Sequence, residues 1–444
     1  MDQKPGRAGR PPSFPPAGES GLTFPSLDAR VKTDVAIIGG GYTGLSAALH
    51  LAEAGVDVTV IESDRVGQGA SGRNGGQLHS GQRRDQDWLE THLGNDTAHR
   101  LWDLAEEAKA LVKSLIEKHG IDCDWRPGLI ETVHKERLVA EERAYVGKLR
   151  DRYGYAPVEW LERDALRAAL GTDAYFGGRR DMGAGHLDPY KFASGLAQAA
   201  VAAGARIFEG TRAEKLVRRD AAGIEIACFA PDWKVGTEGA SSGASLRAEI
   251  VILAGNGYLE GVDDETEARV MPIDNYIVAT EPIGAGEPGG IIPGGEAVSD
   301  SRFVVYYFRP SPEGRLIFGG GETYSRTAPA DIPAFVRNHL KRIYPQLAGT
   351  RIDYSWGGRL AITLNRLPFI RRISPGLYAA AGYSGQGVAM APFAGKILAE
   401  AISGNPGRLD TFAALPSSRF PGGRLLRYPA LVAGMSWYAL RDRL

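Results

Sequence analysis

Residues 34–76 read DVAIIGGGYTGLSAALHLAEAGVDVTVIESDRVGQGASGRNGG, and the order of features along them decides the fold. Val35 to Ile38 is an apolar run of strand length. Gly39, Gly41 and Gly44 follow in G-x-G-x-x-G spacing, and a helical pattern continues through Leu45, Leu49 and Leu51 to Ala54, ending near Gly55. In such a unit the first glycine permits the tight turn and the second lets the backbone approach a pyrophosphate. The third lets the helix pack closely on the strand. The helix then points its first amides, including those of Tyr42 and Thr43, and its positive dipole end at the phosphates. Val58, Val60 and Ile61 predict a second strand closed by Glu62, a position where a carboxylate accepts hydrogen bonds from ribose hydroxyls and repels a 2′-phosphate. A glycine triplet alone is equally a packing turn; with strand, helix, second strand and acid in order, dinucleotide binding is the stronger reading. The loop that follows at once, SGRNGG, favours a flavin over a nicotinamide.

Composition bounds what else the chain does. Its 444 residues, 43% hydrophobic, suffice for two domains and a large buried core. With 52 basic and 53 acidic residues the net charge is −1, so no global field steers the chain to nucleic acid or an anionic membrane. Cys123 and Cys228 lie far apart, and the eight histidines include no H-x-x-x-H pair; no metal site is predicted, and buried structural thiols are the simpler reading. The start, MDQKPGRAGRPPSFPPAGESG, lacks the apolar core of a signal peptide, so residues 1–32 are expected to form a flexible arm. No run approaches the roughly 18 apolar residues of a membrane span. Ala430 to Leu440 is too short and contains Gly434 and Ser436. A cytoplasmic protein is the simplest expectation.

Beyond the second glycine loop the periodicity predicts long amphipathic helices from Trp88 to Ile116, strand-like residues around Gly128, and a helix over Glu136 to Arg152. Asp188 and Pro189 open another helix as cap and first turn. Arg206 to Glu209, Ala213 to Arg218 and Gly223 to Phe229 read as a meander leading through TEGASSGAS to Ile250–Leu253, a strand buried on both faces; Gly255 and Gly257 then bring backbone close to a ligand. Tyr276 to Ala279, Phe303 to Phe308 and Leu316 to Phe318 predict a second sheet, and Ile332 to Ile343 a helix. After Trp356 the chain is expected to return to a strand and a glycine loop. The architecture predicted is α/β with an α+β cap: a Rossmann-like cofactor domain in three pieces (33–87, 186–268 and 356–444) with an antiparallel-sheet substrate domain inserted as 88–185 and 269–355.

Residues 377–402, LYAAAGYSGQGVAMAPFAGKILAEAI, repeat the order strand, glycine loop, helix without the dinucleotide spacing. Gly382, Tyr383, Ser384, Gly385, Gln386, Gly387 and Val388 would form a helix N-terminus that stabilises negative charge, such as that on a reduced flavin. A helix start that merely packs is an equal reading of this loop by itself; beside the first motif the flavin reading prevails.

These stretches, together with HLDPYKFASGLAQAA, VILAGNGYL, YYFRPSPEGRLIFGGGETYS, WGGRLAITLNRLPFI and the tail FPGGRLLRYPALVAGMSWYALRDRL, resemble the D-amino-acid oxidase and sarcosine/glycine oxidase superfamily of FAD-dependent amine oxidoreductases. Within it the chain is most similar to the γ-glutamylputrescine oxidoreductase branch. The resemblance implies that Ser71, Arg73, Asn74, Gly75, Gly76 and Gln77 line the pyrophosphate and ring side of FAD, and that Ala213 meets the adenine through its backbone. Sarcosine-oxidising relatives attach FAD to a cysteine in the last third of the chain. No cysteine follows Cys228 here, so non-covalent FAD is expected. His79 is an alternative attachment point, although a packed or substrate-facing histidine is the commoner case.

Flavin oxidation of an amine moves a hydride from the carbon beside nitrogen to flavin N5, leaving an imine that water hydrolyses. No obligatory side-chain acid or base is needed if the amine arrives neutral. Substrate contacts are sought on the second sheet, where Tyr307 and Arg309 share one face and Tyr306 and Phe308 the other. The resemblance adds Arg359, in WGGR, as the counterpart of a carboxylate-binding arginine; His79 and Gln386 complete the candidates. For Arg309 and Arg359 a structural salt bridge is the competing reading, and Trp356 is read as core before cation cage. The predicted substrate is thus a small amine or amino acid, with O2 or another electron acceptor. Glycine, sarcosine or D-amino-acid oxidation is the alternative activity. An NAD-dependent dehydrogenase and a flavin-binding protein without turnover are the rivals from other classes.

Overall fold

The computed structural model describes residues 22–218, 223–229, 244–323 and 329–421. Most of the expected N-terminal arm, the TEGASSGAS hairpin up to residue 243, Ala430 to Leu440 and nearly all of the quoted tail lie outside the described residues.

Strand β1 (Arg30–Ile38), helix α1 (Tyr42–Glu53) and strand β2 (Val58–Ile61) form the βαβ unit that the glycine spacing predicts. β1 pairs in parallel with β2 on one side and with Ser245–Leu253 on the other, placing Val35 between Val58 and Ile250. Its last four residues are buried, as a parallel strand covered on both faces requires. Among the described residues this sheet has eight strands, and its main path runs from Phe369–Ser374 through Leu377–Ala381, Ser245–Leu253, β1 and β2 to Arg206–Phe208. Under one face α1 packs against the helix Gly387–Ile402, and Leu45, Leu49, Phe393 and Ile397 are fully enclosed. Burying each such side chain favours folding by about 1.5–3 kcal/mol.

Among the described residues a nine-stranded sheet stands against it. Its long antiparallel part joins Ile352–Ile362, Met271–Pro282, Arg315–Thr323 and Tyr307–Pro310, and helix Ile332–Ile343 covers it over a core of Phe308, Phe318, Leu340 and Tyr344. Strand β3 (Gln77–Leu78), directly after the second glycine loop, pairs at its far edge with Gly177–His186.

Several elements differ from expectation. The helices expected from Trp88 to Ile116 are Gln86–Leu93 and Asn95–His119, starting two residues earlier and ending three later, with the break at Gly94, which takes φ +84°. Arg206–Phe208 is no part of a meander: it lies parallel to β2, and Arg212–Arg218 and Ile224–Phe229 alone form the hairpin beside Ser245–Leu253. The strand expected over Phe303 to Phe308 begins at Tyr307. Asp300 accepts the Arg302 and Tyr306 amides, curling the chain between them, and Ala297–Asp300 is the strand instead. Trp356, expected to open the last cofactor piece, sits inside Ile352–Ile362, so the second sheet continues to Ile362. Cys123 and Cys228 are free, buried thiols, and burial pushes the pKa of each up to about 12. Among the described residues no helix is long and apolar enough to cross a membrane.

Candidate active site

A cleft of about 1800 Å³ is lined by residues of both sheets. Its first wall is the βαβ unit: Gly39, Gly41, Tyr42, Thr43 and Glu62 face it. Gly39 has φ +117°, and a Cβ there would stand 2.8 Å from the Ala254 carbonyl carbon. At Gly44, behind the wall, a Cβ would overlap the Gly39 carbonyl oxygen. Helix α1 has no side-chain cap, so its N-terminus opens toward the cleft. Glu62 accepts the Gly40 amide at 2.7 Å and the Asp64 amide at 2.9 Å; burial nevertheless raises its carboxyl pKa. A turn without side chains, a helix N-terminus at the cleft and an acid at the end of β2 fit the phosphates and ribose of a dinucleotide.

The second glycine loop continues this wall with Ser71, Asn74, Gly75 and Gln77. The Tyr42 amide donates to Ser71 Oγ at 2.9 Å, tying the loop to the start of α1. Asn74 braces the loop internally: its amide nitrogen donates to Ala70 and Ser71 carbonyls, and its oxygen accepts the Gly76 amide at 2.7 Å. Arg73 and Gly76 lie outside the lining; Arg73 donates to the carbonyls of Gln68 and Gly357. Ala213 and Gly255 face the cleft further along.

The C-terminal loop meets the same cavity through Tyr383, Ser384, Gly385, Gln386, Gly387 and Val388, with Gly382 just behind. Two bonds dock it on the first wall. Thr43 Oγ1 and the Tyr383 hydroxyl are 2.6 Å apart, and the Gly382 amide donates to Asn256 Oδ1 at 2.9 Å. Helix Gly387–Ile402 therefore starts at the cleft, again without a side-chain cap. The two glycine motifs, more than 300 residues apart, share one cavity.

On the opposite wall the structure separates the substrate candidates. Tyr307 faces the cleft, its ring held between Gly75 and Gly319, and its hydroxyl donates to Asn275 Oδ1. His79 and Arg359 also line it. Arg309 does not: it is buried, and its Nε donates to the Gly75 carbonyl at 2.8 Å, so it supports the glycine loop from behind. The competing salt-bridge reading of Arg309 is equally replaced by this bond to backbone. Tyr306 points into the core, where its hydroxyl meets His339 Nδ1 at 2.7 Å. Arg359 pairs with Asp274 at 3.0 Å and Glu260 at 3.5 Å. Trp356 is buried and donates to the Arg73 carbonyl, making it core.

Among the cleft residues that the sequence did not point to are Asn275, Glu131, Arg179, Glu142 and Ser80. Arg179 pairs with both glutamates, and His79 Nδ1 lies 3.4 Å from Glu131. Burial pushes the Glu131 carboxyl up, but Arg179 and His79 outweigh it and hold it at about 2. The isolated acid in GLIET and the charged run in GGRRDM are the sequence signal for Glu131 and Arg179, and they read equally as a solvated face.

Residues 34–401 match the family described as FAD dependent oxidoreductase. The chain belongs to this family. FAD is accordingly the cofactor that the two glycine loops and Glu62 fit. The oxidoreductase is 43% identical over 420 residues to a probable oxidoreductase OrdL of Rhizobium meliloti, covering 95% of this chain and 94% of the relative. It is 37% identical over 423 residues to the gamma-glutamylputrescine oxidoreductase of Escherichia coli, covering 95% of each chain. Among solved structures, glycine oxidase from Geobacillus kaustophilus matches 84% of this chain and 95% of its own with a TM-score of 0.68 at 22% identity. The L-proline dehydrogenase from P. horikoshii matches 86% and 98% with a TM-score of 0.69, also at 22%. At that identity the likeness shows the α/β fold of the oxidoreductase and no more.

Proposed function

We propose that the enzyme oxidises a small amine at its C–N bond, and that its substrate is an amine bearing an acyl group more readily than a simple α-amino acid. The observation that carries this reading is the continuity of the cleft from the glycine cradle, Gln386 included, to a wall of Tyr307, Asn275 and His79. FAD, when bound, supplies the acceptor for the hydride leaving the carbon beside nitrogen. The chain's own residues do the positioning. Ser71, Asn74 and Gly75 shape the loop that would hold the flavin, and the Gly387–Ile402 N-terminus would offer amides to its negative charge. Tyr307, fixed by Asn275, fills the opposite side and limits water. In this reading the eight-stranded sheet carries the cofactor and the nine-stranded sheet the substrate.

Glycine or sarcosine oxidation needs a cation for the α-carboxylate. The two arginines expected in that role are committed elsewhere, Arg309 to Gly75 and Arg359 to Asp274 and Glu260, which removes their support for a simple α-amino acid. The name of the Escherichia coli relative points the same way, because gamma-glutamylputrescine is an acylated diamine. FAD is held without a covalent bond, so acid precipitation should release all the flavin to the supernatant.

Anaerobic mixing with γ-glutamyl amines, sarcosine, glycine and D-amino acids tests the reading. Bleaching of the visible flavin bands by the γ-glutamyl amines is expected. No bleaching across the panel would leave a flavin-binding protein without turnover, and extraction of NAD instead of FAD would remove the reading altogether.

A further inference from the structure

Immediately behind the cleft, in a region the amine chemistry does not use, lies a buried ammonium. Lys109, on helix Asn95–His119, is 5% exposed, and its Nζ contacts Ser80 Oγ at 2.6 Å, the Tyr155 hydroxyl at 2.8 Å and Glu106 Oε2 at 2.7 Å. Those three acceptors use its three protons. Tyr155 donates in turn to Asp181 Oδ1 at 2.6 Å, which also accepts the amides of Gly183 and Ala184. Burial, and after it Asp181, raise the Tyr155 pKa, so the phenol keeps the proton it donates.

Ser80 is the member of this network that lines the cleft, beside His79. Its oxygen accepts from Lys109, and its single proton has two directions: toward Tyr155, 2.8 Å away, or into the cleft. The Tyr155 oxygen already accepts from Lys109 while its proton goes to Asp181, so turning the Ser80 proton away leaves no group in the network unsatisfied. A hydroxyl with an ammonium bonded to its oxygen is polarised as a donor.

We propose that Ser80 is a specificity residue that donates a hydrogen bond to an oxygen acceptor of the substrate, an amide carbonyl or a carboxylate, and that Lys109 is the positioning residue that orients and polarises it. This rests on the substrate class proposed above, to which it assigns a contact. The wall then favours an amine carrying an acyl or carboxylate oxygen over an alkylamine of equal length.

The test uses ligands without an oxidisable amine, so that it stands apart from turnover. N-butylacetamide supplies the amide oxygen, hexanoate the carboxylate, and butyltrimethylammonium, whose quaternary nitrogen has no lone pair to form an imine, serves as the comparison without oxygen. Each is titrated into the FAD-loaded enzyme and followed by the visible flavin spectrum and by calorimetry. Wild-type enzyme should bind at least one oxygen-bearing ligand more tightly than butyltrimethylammonium. Ser80→Ala should lower that preference about 10- to 100-fold, and Ser80→Thr, which keeps the hydroxyl, should restore it. Lys109→Gln, which keeps donors but removes the charge, should weaken hexanoate more than N-butylacetamide. Loss confined to N-butylacetamide identifies the amide as the natural acceptor, and loss confined to hexanoate the carboxylate. An unchanged preference in Ser80→Ala, equal weakening of all three ligands, or no preference in the wild type overturns the proposal. If no amine bleaches the flavin but Ser80→Ala still loses the preference, the oxidation reading fails and the contact stands.

Discussion

The two walls of the cleft are held by different means. From Gly39 to Gly76, and again from Gly382 to Val388, position is set by backbone: close approaches without Cβ atoms, helix N-termini at the cleft, and bonds from main-chain amides such as Tyr42 N–H to Ser71 and Gly382 N–H to Asn256. Across the cavity, position is set by side chains brought from distant segments, with Tyr307 on Asn275, and Arg179 between Glu131 and Glu142. A backbone wall has few sequences that satisfy it. A side-chain wall can be rewritten one residue at a time, with graded costs.

The sharpest break in that comparison is at Gly44. Gly44→Val places a Cβ into the Gly39 carbonyl oxygen, and relief requires moving either α1 or the turn that approaches the phosphates. The purified variant should carry no FAD after desalting, seen as loss of the visible flavin bands. Retention of stoichiometric FAD would show that this wall is less rigid than its geometry implies.

The opposite wall should yield by degrees, beginning with Arg179→Met. Glu131 has a folded pKa of about 2, below the ordinary 4.5 of an unfolded glutamate, so its pairing stabilises the fold above about pH 4.5 and is lost as pH falls toward 2. That interval corresponds to about 3 kcal/mol, and partial exposure at the cleft reduces it to about 2. Urea unfolding should therefore show Arg179→Met less stable than wild type by about 2 kcal/mol at pH 7, with the gap narrowing from pH 5 to pH 3. A gap independent of pH would assign the loss to packing on Tyr145, whose ring lies 5.1 Å from the guanidinium.

Returning to the backbone wall, Glu62 is its carboxylate predicted to touch the cofactor. Glu62→Gln keeps the shape and one acceptor while removing the charge, and should weaken FAD about tenfold, corresponding to about 1.4 kcal/mol. Fluorescence of released flavin on dilution measures it. A loss as complete as that at Gly44 would mean that the carboxylate, rather than the turn, organises the site.

The contrast between the walls also explains what could be read in advance. Gly39, Gly41, Gly44 and Glu62 are spaced within one βαβ unit, so local periodicity locates them together, and helix Pro189–Ala202 declares its start through Asp188 and Pro189. Strand Gly177–His186 gave no such sign: its sequence GGRRDMGAGH is poor in the β-branched and aromatic residues that mark strands. Yet it delivers Arg179 to Glu131. Arg309 shows the converse limit. Alternation along the strand correctly put it on the same face as Tyr307, but alternation cannot say how far a guanidinium reaches, and this one stops at the Gly75 carbonyl.

Tyr307 is where the two walls touch, and it gives the finest test. Its ring crosses Gly75 on the cofactor side, while its hydroxyl is anchored to Asn275 on the other sheet. Tyr307→Phe keeps the ring and removes the anchor, leaving the Asn275 oxygen without that donor, a cost of about 1 kcal/mol. If the walls are as distinct as their construction implies, FAD affinity stays within about twofold of wild type, while the amine concentration for half-maximal anaerobic flavin reduction rises about fivefold. A rise in amine requirement with no change in the limiting reduction rate places the hydroxyl in binding. A fall in the limiting rate would place it in alignment of the reacting carbon. Loss of FAD together with loss of amine affinity would show that Tyr307 couples the walls, and that the backbone side depends on a side-chain contact after all.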